Sequence, residues 1–254
     1  RLFLHAARRV YAHPSERWLV SATCLGFVEH CISALDLRLL FGEPTRRDLA
    51  ALAHHPGVAL LRRLLTGTEL LTELFVFLHP DPSTAGFEAV NGDYAHSPHF
   101  AAAVRSALLI LVRTLHIQSS FIHVLVPMLH DAGGECARAA GPASAYMPLE
   151  RHLLQHLDVV VQLALYPSSA DEAIARVGVQ ALDLLAHTPT FDATDRFSTL
   201  KQRHTMNRLV GVVVMADEAA RVQAGVLAWL GADEPSVAHA VLDLLLTHTR
   251  ADRA

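Results

Sequence analysis

Along almost the whole chain apolar residues recur in steps of three and four, the period of a helix that buries one side. From Phe100 the positions Val104, Ala107, Leu108, Leu111 and Leu115 form one such stripe. Leu149, Leu153, Leu157, Val160 and Ala164 form a second, with Leu154, Val161 and Leu165 widening it until both sides of a single long helix would be covered. Ile174, Val177, Ala181, Leu184 and Leu185 give a third, and Val222, Val226, Trp229 and Leu230, then Val237, Val241, Leu244 and Leu245, continue the pattern. No stretch alternates as a half-buried strand does; Val212 to Val214 is too short a run to decide. The sequence therefore predicts an all-α fold.

Helix starts are marked by proline, whose fixed φ suits a first turn and whose missing N–H would be orphaned there anyway. Pro14, Pro56, Pro98, Pro148 and Pro235 each stand before an apolar-periodic stretch. Ser97, Thr68, Ser169 and Asp217 are N-cap candidates, with Glu69, Glu172 and Glu218 placed to favour the helix dipole. Breaks are expected at Gly42 to Pro44, His79 to Pro98, Asp131 to Pro148, Tyr166 to Ser169, Pro189 to Phe197 and Gly231 to Pro235.

Pro14, Pro56 and Pro98 are evenly spaced, 42 residues from one to the next, each just after a histidine or a His-Ser pair. Periods of roughly 40 to 47 residues are those of HEAT and armadillo repeats, two- or three-helix units stacked on their neighbours. Consecutive apolar helices joined by short turns pack antiparallel on chain neighbours. The reading is a right-handed α-solenoid segment covering residues 1–254 as one piece, with a compact α-bundle as the alternative. An opening at Arg1 rather than Met marks an excerpt of a longer chain. Residues 79–97 and 131–147 are expected as long inter-helix loops, the second Ala-rich, of low complexity and mobile.

Composition removes other classes. With 52% hydrophobic and 18% charged residues the chain is not disordered, and a net charge of -4 leaves no basic footprint for nucleic acid. Three cysteines, Cys24, Cys31 and Cys136, are too few for a disulfide framework and point to cytosol or nucleus. No uninterrupted apolar run approaches the ~20 residues of a bilayer span, so no transmembrane segment is expected. Lys201 is the only lysine and Ala, Leu, Val, Arg and His abound, a skew that resembles a GC-rich genome and accounts for the 17 histidines.

Chemistry is sparse. His152 and His156, four apart on the expected helix, are the best metal candidates, yet a third ligand is missing and Glu150 and Asp158 point elsewhere on the wheel. His116, His123 and His130 are spaced by seven, about 10.5 Å of rise per step, too far to share an ion, with Pro127 interrupting the path. Ser119 and Ser120 lack an orienting acid and read as caps of a helix entering at Phe121. Nucleophile elbow, dinucleotide fingerprint and phosphate loop are all missing. The doublets Arg8-Arg9, Arg46-Arg47 and Arg62-Arg63 suggest a phosphate or acidic-peptide groove or, more simply, solvated faces. No catalytic residue, cofactor or small-molecule substrate is expected.

The C-terminal third carries a more specific pattern. Ala181 to Leu185 reads "ALDLL", Thr188 to Phe191 "TPTF", Asn207 to Leu209 "NRL", and Ala216 to Arg221 "ADEAAR". This order resembles the large scaffold nucleoporins of the nuclear pore inner ring, and the grouping Asn207, Arg208, Asp217, Glu218 and Arg221 carries the likeness. Weaker echoes lie at Tyr11 to Phe27 and Pro56 to Leu78.

The resemblance implies a non-enzymatic scaffold at the nuclear pore of the nuclear envelope. It would bridge subcomplexes, contact neighbouring scaffold subunits and bind linker-nucleoporin peptides in support of nucleocytoplasmic transport. The five motif residues would be structural, with Arg208 or Arg221 pairing with Asp217 and Glu218, and the partner groove is not assigned. The alternatives are another HEAT-type adaptor, such as a karyopherin-like receptor or a trafficking scaffold, and last a helical metal-dependent hydrolase using His152 and His156.

Overall fold

The computed structural model describes residues 11–79 and 97–188, with Leu4 and Arg9. Among the described residues every regular element is helical and there is no strand, as the apolar period predicts. The family-like residues Asn207, Arg208, Asp217, Glu218 and Arg221 lie outside the described residues, as do residues 80–96 of the first expected loop.

Two compact units divide the chain, residues 1–152 and 153–254. In the first, α1 (Pro14–Ser33) leads through a 3₁₀ turn (Arg38–Phe41) to α2 (Arg46–His54), α3 (Pro56–Leu65) and α4 (Glu69–Leu78). Then α5 (Pro98–Ser120) runs on through a π-helical turn (Phe121–Leu125) into α6 (Val126–Ala132), followed by α7 (Gly134–Ala140), a 3₁₀ turn (Ala143–Ala145) and α8 (Leu149–Leu153). In the second, α9 (Leu157–Leu165), a 3₁₀ turn (Tyr166–Ser168) and α10 (Glu172–Ala186) pack on one another.

Pro14, Pro56 and Pro98 open their helices as expected. Ser97 Oγ accepts from the Phe100 N–H at 3.4 Å, and at α3 the His55 ring takes the same role, Nδ1 accepting from Gly57 N–H at 3.1 Å. Asp171 rather than Ser169 caps α10, its carboxylate accepting from Ala173 and Ile174, while Ser169 supports Asp171 from one turn back. Thr68 sits at the start of α4, but its hydroxyl donates backward to the Arg63 carbonyl.

Three sequence expectations are corrected. Residues 131–147 are not an extended loop, because Cys136 and Ala140 bury one side of α7 against neighbouring helices. Pro127 does not end the helix from α5: the π turn just before it widens the spiral by one residue, so α6 follows directly and Ser119 and Ser120 sit inside a continuous run. Leu149 to Ala164 is two helices, since α8 stops at Leu153 and His156, with φ -133 and ψ 69, starts a new one.

The first unit's core centres on Trp18, which α1 sets edge-on to Phe77 of α4 and Phe100 of α5, ring centroids 5.6 and 4.7 Å away. The broadest helix pairing joins α1 with α5, with α2 to α4 between them in sequence. Gly26 faces Ser106 as Trp18 faces Phe100, so the two helices run parallel. Antiparallel chain neighbours account for less of the core than expected, because the apolar faces of α1 and α5 cover each other. Two helical stretches, Ser15–Phe41 and Pro98–Ala132, have the length and hydropathy of bilayer spans, although no uninterrupted apolar run does. Inside the fold 39% of the first window and 50% of the second are buried, and Arg105 and Arg113 interrupt the second.

Candidate functional site

His152 and His156 are not partners on one helix face, because the helix that would have aligned them ends between them. His152 is buried against the loop after α3: its Nε2 lies 3.4 Å from the Leu65 carbonyl and its ring leaves no room for a Cβ at Gly67. His156 is exposed. Among the described residues no group of three or more His, Cys, Asp or Glu side chains is placed to hold a metal ion.

Beside His152, a polar contact crosses the core. Gln118 of α5 donates from Nε2 to Glu150 Oε2 at 2.7 Å and accepts from the Leu149 N–H at 2.8 Å. Both side chains are nearly inaccessible, so the amide satisfies a carboxylate and a helix-start N–H that water cannot reach. Sequence reasoning set Glu150 aside as facing the wrong way for a metal. Its partner sits 32 positions away and carries no local signal.

In two of the arginine doublets one side chain is turned onto backbone carbonyls, and Arg8 of the third lies outside the described residues. Arg62 Nη1 donates to the carbonyls of Arg138 and Ala139 at 3.3 and 2.8 Å, closing the C-terminal end of α7, and Arg46 reaches the Ala132 carbonyl at 3.4 Å. Burial raises the pKa of the Cys24 and Cys31 thiols, which keeps them protonated and unreactive.

Part of what the fold leaves outward is apolar. On α1, Leu19, Thr23 and Phe27 form one exposed ridge at steps of four, with Leu19 48% and Phe27 66% accessible. The following turn alternates: Leu37 and Leu40 are buried, Leu39 and Phe41 exposed, Phe41 to 78%. Arg38 holds this turn by a fork onto Asp36, with Nε at 3.0 Å from Oδ1, Nη2 at 2.8 Å from Oδ2, and the Arg38 N–H at 2.9 Å from Oδ1. These donors hold the Asp36 carboxyl far below the usual carboxylate range, at about 2. Such a surface offers apolar anchors to a polypeptide and carries no group suited to bond making. The sequence reading assigns these residues no role, because apolar spacing alone does not reveal which side of a helix its own chain will cover.

One of three comparisons places the chain among known proteins. The family model described as nuclear pore complex scaffold, nucleoporins 186/192/205, matches residues 1–252. Searches of curated proteins and of solved structures found no match.

Proposed function

The chain belongs to the family of nuclear pore complex scaffold nucleoporins 186/192/205, and from that premise we propose that it works as one stretch of an α-solenoid that bridges subcomplexes of the inner ring and receives short segments of linker nucleoporins. Its place is the nuclear pore, in the nuclear envelope. The match over residues 1–252 is the observation that carries the proposal, and the all-helical fold agrees with it. A stack of helices offers an extended surface, and a short peptide binds such a surface by laying apolar anchors between or along helices.

The exposed residues Leu19, Phe27, Leu39 and Phe41 are the proposed anchor points for a linker segment. An apolar ridge of this kind gains affinity by losing water on contact, and large exposed apolar side chains are costly to keep without a partner. The work of the chain is then packing and peptide binding, with no catalytic step.

Affinity capture by the full chain from nuclear-envelope extract, read by mass spectrometry, tests the proposal. Nucleoporins should be recovered, whereas recovery of transport cargo with the Ran GTPase would support the receptor alternative. Phe27→Glu and Phe41→Glu should weaken recovery of a linker nucleoporin roughly tenfold or more, the size of effect an aromatic anchor carries, while helix content stays unchanged. Undiminished recovery would remove this face from the proposal and leave the family membership untouched.

A further inference from the structure

The continuous helix from α5 through the π turn into α6 contains no Asp or Glu from Pro98 to His130. Its exposed side carries Arg105, Arg113, His116, His123 and His130. Among the described residues none of these five side chains makes an ion pair or a hydrogen bond. Several other arginines are engaged, Arg38 with Asp36, Arg62 with two carbonyls, Arg138 with Glu135 and Arg176 with Glu172, but none of those lies on a helix run of this length without a carboxylate. In a chain with more acids than bases this edge, about 37 Å long at 1.5 Å per residue, draws no carboxylate from its own helix, and its cations have no partner among the described residues.

From these observations we propose that this edge is a docking surface for an acidic helical segment of a partner polypeptide, laid lengthwise along α5 and α6. The proposal rests on the reading that the chain receives short polypeptide segments. The spacing favours a helix: His116, His123 and His130 repeat every seven residues, and Arg105 and Arg113 stand eight apart. Two helices lying side by side present pairable charges every second turn, as the flanking positions of coiled coils do. Arg105 and Arg113 supply permanent charge, and the imidazoles donate hydrogen bonds to carboxylates and add charge when protonated.

Other polyanions fit less well. A nucleic acid backbone needs cations in closer succession, and the net charge of -4 repels it at long range. An anionic membrane is held by basic residues together with an apolar face that inserts, but the large apolar side chains of α5 are buried or, like Leu109 and Ile117, half-buried, and Arg105, Arg113, His116 and Ser119 are what it exposes beyond its first turns.

The test is fluorescence anisotropy with the full chain and a labelled helical peptide of about 28 residues, long enough to span ~40 Å, carrying Glu at every seventh position. Its Gln counterpart, an oligonucleotide of matching length and vesicles containing phosphatidylserine complete the set. The Glu peptide should bind at least about tenfold more tightly than the Gln peptide, weaken steeply with added salt, and lose that advantage with Arg105→Glu/Arg113→Glu. His116→Gln/His123→Gln/His130→Gln should reduce it partly. Equal binding of the two peptides, indifference to the arginine reversal, or tighter binding of the oligonucleotide or vesicles would overturn the proposal. If the arginine reversal still captures nucleoporins normally, this edge fails while the scaffold reading stands. Circular dichroism confirms that each variant remains helical.

Discussion

Gly67 shows how one residue can be fixed by another far along the chain. Its φ of +63 lies in the left-handed region, and a Cβ there would meet His152 Cε1 at 2.6 Å. Gly67→Ala should destabilise the fold by about 2 kcal/mol or more, combining backbone strain with a displaced buried ring, as read from urea denaturation. A neutral result would mean that His152 is not held where the structure has it. Asp36 gives a pH prediction. Its folded pKa of about 2 is below the ordinary 3.8, so its contribution is present above about pH 4 and is lost as pH falls through about 2. Wild type should therefore lose stability relative to Asp36→Asn across that window, with the difference flat above it, measured by denaturation midpoints at stepped pH. The Gly67 arrangement could not be read locally: glycine and histidine have no short-range signal for each other. The buried Gln118 contact to Glu150 was hidden for the same reason.

Helix starts were legible because a cap acts within one turn. Proline marked α1, α3 and α5 correctly, and Ser97 caps α5 as its type demands. Thr45 was missed although its signal was present: its hydroxyl accepts from the Asp48 N–H at 3.2 Å while Asp48 accepts from the Thr45 N–H at 2.9 Å, a reciprocal capping box. Thr45→Ala should cost about 1 kcal/mol, within the 0.5–2 kcal/mol usual for such caps, in the same denaturation assay. An effect near zero would show that α2 is held by packing alone. Three elements could not be read from pattern. α7 is short and Ala-rich, so its helicity depends on Cys136 and Ala140 finding a core. The π turn before Pro127 is a local adjustment that apolar spacing does not encode. The split between α8 and α9 falls within an unbroken apolar stripe that, by period alone, describes one helix equally well.

For the molecule as a whole, two compact units imply that the first keeps its core without the second. A chain ending at His152 retains Trp18 as its sole tryptophan, buried against Phe77 and Phe100, and should show blue-shifted emission with helical circular dichroism. Red-shifted emission would mean that the first unit needs the rest. The family match reaches residue 252, the motif that first suggested it lies largely outside the described residues, and the all-helical fold of the described residues agrees with that family. The sequence by itself determined the helical class, most helix starts and the scaffold family, because period, caps and motif order are local properties of the chain. Only the tertiary structure decided that α1 pairs with α5, that His152 closes on Gly67 instead of joining His156, and which apolar and cationic side chains remain outside. Those outcomes depend on which surfaces cover each other across long sequence separations, and among several apolar stripes only packing selects the ones that are covered.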